Sequence, residues 1–182
     1  MLFWVYSEPQ RYVITGAPGT GKTVIINALK KRGYSCVAEN SREVIAEQII
    51  TGGEILPWKN QIAFENLISR KRAKQYASIH KDEIYFFDRS TIDCIAYLKA
   101  NNLETSTEIL EVIKNCEFNS NVFYTPIWEE IYTNDNERKE SIESAIAIEK
   151  FLLSTYQYFD YTLIEVPKLT IEKRVDFILS KI

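Results

Sequence analysis

Three cysteines and a single histidine are too few to support much metal or disulfide chemistry. Cys36, Cys94 and Cys116 are far apart, odd in number and unaccompanied by a histidine cluster, so neither a disulfide framework nor a zinc site follows. They read as small buried hydrophobes, and a reducing cytoplasm is the simplest compartment for them. No apolar run approaches the roughly 18 residues of a membrane span. The opening MLFWVYSEPQ contains an apolar hexapeptide but lacks the basic start of a signal peptide, so a soluble chain is expected. Internal repeats and low-complexity tracts are also missing. A net charge of −3 argues against a general nucleic-acid binder, and neither a nucleic acid nor a membrane is expected as partner.

What remains is an ordinary globular composition, 46% hydrophobic and 26% charged over 182 residues. That length suits a single domain spanning the chain. Short β-rich runs alternate with helical patterns, the mark of a parallel α/β sheet. Strands are predicted at Tyr12–Thr15, Ser35–Ala38, Ile84–Phe87, Val122–Tyr124 and Tyr161–Glu165. A helix from about Lys22 to Lys31 should stop at Gly33. Asn40 with Glu43 resembles a capping box, opening a helix with Val44, Ile45 and Ile49 inward. A longer helix carries Phe64, Leu67, Ile68, Tyr76 and Ile79 at helical spacing. Ser90 with Asp93 suits a further helix start, and Asp93 fits capping better than chemistry. Ser106–Lys114 aligns Ile109, Leu110 and Ile113. From about Asp135, a stripe of Ile142, Ala145, Ile146, Glu149, Leu152 and Tyr156 predicts a long helix. Thr170 should cap the last one, with Ile171, Val175, Ile178 and Leu179 inward.

Between the first strand and first helix lies GAPGTGKT. Its residues Gly16, Ala17, Pro18, Gly19, Thr20, Gly21, Lys22 and Thr23 satisfy G-x-x-x-x-G-K-[ST] in the required strand–loop–helix context. Glycines let the backbone wrap closely, so consecutive N–H groups converge on a phosphate at a helix N-terminus. Lys22 would bridge the β- and γ-phosphates and the Thr23 hydroxyl would ligate Mg²⁺. The octet therefore predicts a site for ATP, with GTP left open.

Such a site needs a carboxylate at the end of a neighbouring strand, and EIYFFDRSTID supplies Asp88 with Arg89 beside it. Asp88 can organise Mg²⁺ or take a proton from an attacking hydroxyl. Arg89 can neutralise a phosphate or orient an acceptor. The plainer reading has Asp88 and Ser90 competing to cap the next helix. Glu39 ends the second strand, where an open α/β sheet presents its ligand crevice. Glu39 and Arg42 can thus grip an acceptor's hydroxyl or phosphate, Glu39 as a rival base, or they can be solvated charges. The polar stretch Pro126–Lys139 suggests a mobile lid over about residues 126–141, with Arg138 placed to close over the γ-phosphate. ISRKRAKQY carries Arg70, Lys71, Arg72 and Lys74 and reads mainly as a solvated face. His80 reads as surface.

With those residues in view, a family resemblance emerges. YVITGAPGTGKTVIINALKKRGYSCVAENSREVI, FFDRS, YTPIWEEIYTNDNERKES and YTLIEVPKLTIEKRVDFIL together resemble the AAA_28-type P-loop ATPases. That family is similar to the nicotinamide ribose kinase domain of bifunctional NAD-regulator proteins. A P-loop followed by D-R-S also resembles deoxynucleoside and thymidylate kinases. The resemblance implies a P-loop NTPase fold, a three-layer α/β/α sandwich with a mostly parallel five-stranded sheet, the P-loop strand central, and a helical lid. It further implies that Asp88 is the base or magnesium organiser, that Arg89 contacts phosphate and that Arg138 is the lid arginine. The expected activity is transfer of the γ-phosphate of ATP to a nucleoside-like or other small-molecule acceptor. The alternative is a nucleotide-binding switch or slow NTPase acting as an adaptor or within a larger assembly. The guanine-reading N-K-x-D motif is missing. Around Pro167–Leu169 the backbone is placed to read the base. Aromatic residues in Trp58–Tyr76 and Trp128–Tyr132 can stack a base in an acceptor pocket or can simply be core. The acceptor and the oligomeric state are not legible.

Overall fold

The computed structural model describes residues 10–79, 83–131 and 142–182. Five strands form one sheet: β1 (Gln10–Thr15), β2 (Ser35–Val37), β3 (Ile84–Asp88), β4 (Asn121–Tyr124) and β5 (Thr162–Glu165). Their order is β2-β3-β1-β4-β5 and every neighbouring pair is parallel, which puts the P-loop strand in the centre. The described helices are α1 (Lys22–Lys31), α2 (Ser41–Thr51), α3 (Gln61–Ala77), α4 (Ile92–Ala100), α5 (Thr107–Lys114), α6 (Ile142–Tyr158) and α7 (Ile171–Leu179). None of them is long and apolar enough to cross a membrane.

The two-residue period of a strand divides the core. Tyr12 and Ile14 of β1, with Phe86 and Phe123, pack on Ile25, Ile26 and Leu29 of α1 and on Val175 and Ile178 of α7. Val13 points the other way and, with Phe87 and Val122, meets Ile92 and Ala96 of α4 and Ala145, Ile148, Leu152 and Tyr156 of α6. This is the expected three-layer α/β/α sandwich. A third core has no strand residue: Val44, Phe64, Ile68, Cys94, Ile95, Leu98 and Ile109 join α2, α3 and α5 to α4.

The first helix ends as expected: Gly33 takes φ 92°, and the Tyr34 N–H donates to the Leu29 carbonyl at 3.2 Å. Other details depart from the expectations. Asn40 precedes α2 but turns its amide to Gln75 Oε1 at 3.2 Å, so it caps nothing with its side chain, and neither does Thr170 before α7. Ile49 is exposed, because α2 buries only Val44 and its last turn runs past the core. Leu110, Ile146 and Ile171 are exposed as well, on helices whose opposite faces meet the core. The long helix expected from about Asp135 is described from Ile142 onward, and most of the lid segment, with Arg138, lies outside the described residues, as does His80.

Candidate phosphate-transfer site

The octet between β1 and α1 wraps through Gly16, Gly19 and Gly21 at φ 144°, 85° and 84°, a region that side chains resist. At Gly16 the constraint is also steric. A Cβ there would sit 2.5 Å from the Thr125 carbonyl oxygen and 2.4 Å from its hydroxyl. The loop is held from several sides. The Thr20 and Thr125 hydroxyls share a hydrogen bond at 2.6 Å, and Thr20 also donates to the Ala17 carbonyl. Lys22 is buried, its ammonium donating to the carbonyls of Gly16 (2.9 Å) and Ala17 (2.7 Å). Burial, with repulsion from Arg89, lowers its pKa to about 7 despite the nearby Asp88 and Asp93 carboxylates. Thr23 is exposed in the first turn of α1.

Asp88 is the last residue of β3, paired in register with Ile14 of β1, so its carboxyl sits one strand from the cradle. It is buried, and its Oδ1 has no hydrogen-bond partner. Burial raises its pKa, against the pull of Lys22 and Arg89. An unpartnered buried carboxylate oxygen and an exposed threonine hydroxyl are hard oxygen donors of the kind Mg²⁺ takes. No cluster of three or more acidic, histidine or cysteine ligands exists among the described residues. Thr23 and Asp88 therefore fit the metal role expected of them.

Arg89 adopts a left-handed backbone, φ 75°, a strain of about 1–3 kcal/mol for a side-chain-bearing residue. Its surroundings hold it there. The backbone N–H donates to the Ile14 carbonyl (3.0 Å), and Nη1 donates to the Gly16 carbonyl (3.0 Å) and to Asp93 Oδ1 (3.2 Å). Burial works against its charge, but Tyr97, Asp93, Glu39 and Asp88 more than offset this and raise its pKa. Arg89 thus braces the cradle.

Asp93 does more than cap. It does accept from the Ser90 N–H at 2.9 Å, while Ser90 Oγ accepts from the Ile92 N–H, as a helix start requires. Yet Asp93 is fully buried and also accepts from the hydroxyls of Thr15 (2.7 Å) and Tyr156 (2.5 Å). Arg89, Arg72 and these hydrogen bonds outweigh burial and keep it ionised, its pKa lowered. Arg72 is the second correction: it is buried rather than solvated, donating to the Ser90 carbonyl at 2.8 Å and lying 3.5 Å from Glu39 Oε1. Arg70 and Lys74 of the same run are exposed, Arg70 paired with Glu108.

Glu39 follows β2 and its Oε1 accepts from the Ser41 N–H at 2.8 Å. Burial opposes its charge, but Arg72 and Arg89 hold its pKa down. Arg42 is exposed on α2. Glu65, on α3, is buried near Cys94 and Arg72, and burial raises its pKa to about 7.

Several of these residues were not singled out from the sequence. Thr15 and Thr125 sit at strand ends, where crevice residues are expected. Tyr156 falls in an apolar stripe by its spacing, and the spacing carries no signal for its hydroxyl. Arg174 shares the spacing of Ile171, Val175 and Ile178, which places it on the inward side of α7, and its Nη2 donates to the Thr20 carbonyl at 3.1 Å.

The family model AAA_28, an AAA domain, matches residues 11–174. The chain belongs to this family. No curated protein matches the sequence. Solved structures similar to this AAA_28 protein include deoxyadenosine kinase from M. mycoides with bound dCTP, at 20% identity and TM-score 0.68, covering 94% of this chain and 98% of that one. Thymidylate kinase from Candida albicans matches at 15% identity and TM-score 0.67, over 95% and 90% of the two chains. The NadR protein in complex with NR matches at 15% identity and TM-score 0.74, over 94% of this chain and 51% of that one. At these identities the likeness is one of fold, and the AAA_28 chain shares the P-loop kinase architecture.

Proposed function

We propose that this AAA_28 protein is a small-molecule kinase that transfers the γ-phosphate of ATP to a hydroxyl or phosphate of a nucleoside-like acceptor. The observation that carries the reading is the order of groups across the sheet. The phosphate cradle ends β1, Asp88 ends β3 beside it, and Glu39 follows β2 one strand further out. A hydrolase or switch needs only the first two. A second acid, held ionised by two arginines at the far side of the metal-binding carboxylate, suits an acceptor that approaches from the β2 side.

In this reading Lys22 and the loop N–H groups hold the β- and γ-phosphates. Thr23 and Asp88 would hold Mg²⁺, which supplies charge neutralisation on the phosphates when bound. Glu39 orients the acceptor hydroxyl and accepts its proton, Arg89 neutralises charge on the transferring group, and Arg42 and Arg138 are the candidate cations for the acceptor and the γ-phosphate. The whole chain acts as one kinase-like domain with a lid over about residues 126–141. Three free thiols suit the cytoplasm.

The test is ADP release with and without a panel of nucleosides, nucleoside monophosphates and vitamin-like ribosides. Acceptor-dependent release is expected, and release indifferent to every acceptor would favour a slow NTPase instead. Lys22→Ala should abolish it. Glu39→Gln should lower kcat by about 10²–10⁴-fold with ATP affinity retained, as for loss of a general base. Asp88→Asn should instead shift the Mg²⁺ dependence.

A further inference from the structure

Arg174 is a buried cation without a counter-charge. It lies on α7 with 4% of its surface exposed, and its Nε is buried without a partner. Among the described residues no carboxylate forms an ion pair with it. Asp176, on the same helix, is taken by Arg32 at 2.5 Å. Burial alone depresses its pKa, with no acid acting in the other direction. The other buried arginines differ: Arg72 has Glu39 and Arg89 has Asp93. An arginine removed from water with no acid beside it is costly, and such an arrangement persists where an anion completes it.

Its one hydrogen bond points to that anion. Arg174 Nη2 donates to the Thr20 carbonyl at 3.1 Å, within the phosphate cradle. In a trans peptide the carbonyl and the following N–H point in opposite directions. Drawing the Thr20 oxygen outward toward α7 therefore turns the Gly21 N–H inward. Gly21 immediately precedes Lys22 at the N-terminus of α1, where loop N–H groups converge on phosphate.

We propose that Arg174 is a positioning residue of the cradle, fixing the Thr20–Gly21 peptide with its N–H toward the bound triphosphate and placing a permanent positive charge behind it. The proposal rests on the reading of GAPGTGKT as a nucleoside triphosphate site. The charge has no partner until the nucleotide arrives, so it favours the bound state over the free one.

The experiment compares wild type, Arg174→Lys and Arg174→Gln by ATP titration calorimetry and by melting temperature with and without ATP. Gln removes the charge and leaves a shorter, neutral amide donor in its place. The Gln variant should melt no lower than wild type without nucleotide, bind ATP about tenfold more weakly, in line with loss of one charge-assisted contact, and show a smaller ATP-induced rise in Tm. The Lys variant should stay within about threefold of wild type, because its charge is kept. A purely structural arginine would give the opposite pattern, a lower Tm for Gln with unchanged ATP affinity, and that result overturns the proposal. Equal ATP binding by the Gln and Lys variants also overturns it. If the Gln variant does not fold, a tenfold loss of ATP affinity in a folded Lys variant is sufficient to reject it. Failure of wild type to bind either ATP or GTP removes the triphosphate reading itself, and this inference with it.

Discussion

Lys22 ties nucleotide binding to the proton. Its ammonium is buried against the Gly16 and Ala17 carbonyls, and burial lowers its pKa from 10.5 to about 7 in the free protein. A lowered lysine pKa means that the charged form is disfavoured in the fold, with the penalty complete below pH 7 and fading as pH rises toward 10.5. Phosphates favour the charged form. Between about pH 8 and 10 ATP binding should therefore take up close to one proton, and ATP affinity should fall about tenfold per pH unit. Calorimetry in buffers of different ionisation enthalpy measures the uptake. It should vanish below pH 6 and in Lys22→Arg, whose guanidinium stays protonated. Tyr156 gives a second residue-level expectation. Its hydroxyl joins Asp93 to Ser90 in a fully buried setting, so Tyr156→Phe leaves both short of a partner. A loss of about 1–3 kcal/mol in urea unfolding is expected, with the packing of the ring retained.

At the scale of elements, α3 shows where sequence patterns mislead. Its buried residues are Phe64, Glu65, Ile68, Ser69 and Arg72, so polar groups share the inward face with apolar ones. A search for apolar periodicity finds Phe64 and Ile68 but assigns Arg72 to solvent along with Arg70. Glu65 offers the test. Its pKa of about 7 exceeds its ordinary 4.5, so the unfolded chain loses the proton first. Stability falls as pH rises from 4.5 to 7, and below 4.5 there is no cost. Urea midpoints of wild type and Glu65→Gln should diverge in the variant's favour across that window and stay parallel above it. The octet, Asp88 and the strand ends were legible because a P-loop uses local sequence and fixed spacing. Thr125, Arg72, Tyr156 and Arg174 were not. Each acts through a partner 18 to 154 residues away in the chain, and only folding brings these pairs together. Capping was half legible: Ser90 and Asp93 do start α4, but Asn40 turns to Gln75, a tertiary partner 35 residues away.

Across the whole molecule, two of the three cores sandwich the sheet and the third is built from helices alone. The strand-free core reaches the sandwich through α4 and through Ala73 and Tyr76 of α3 and Val112 and Ile113 of α5, whereas β1 is bracketed by β3 and β4 and covered on both faces. Amide exchange should therefore be slowest in β1, β3 and β4, and faster in α2, α3 and α5, whose shared core includes no strand residue. Hydrogen-exchange mass spectrometry resolves the two groups. Equal protection in both would show that the helical core and the sandwich unfold as one unit. Added ATP should protect the octet and α7 ahead of the helical core, because Arg174 and Lys22 lie on the sandwich side.

Gly16 and Thr125 lie too close to admit one more carbon atom between them. Thr125 is also the residue from which the chain departs toward Pro126, Ile127 and the short 3-10 turn at Glu129–Ile131, and the Ile127 N–H is in turn held by Glu149 of α6 at 2.7 Å. The cradle and the root of that segment therefore behave as meshed gears. A ligand that shifts the loop at Gly16 would press first on Thr125, and the Ile127–Glu149 hydrogen bond is the next contact on the way to α6.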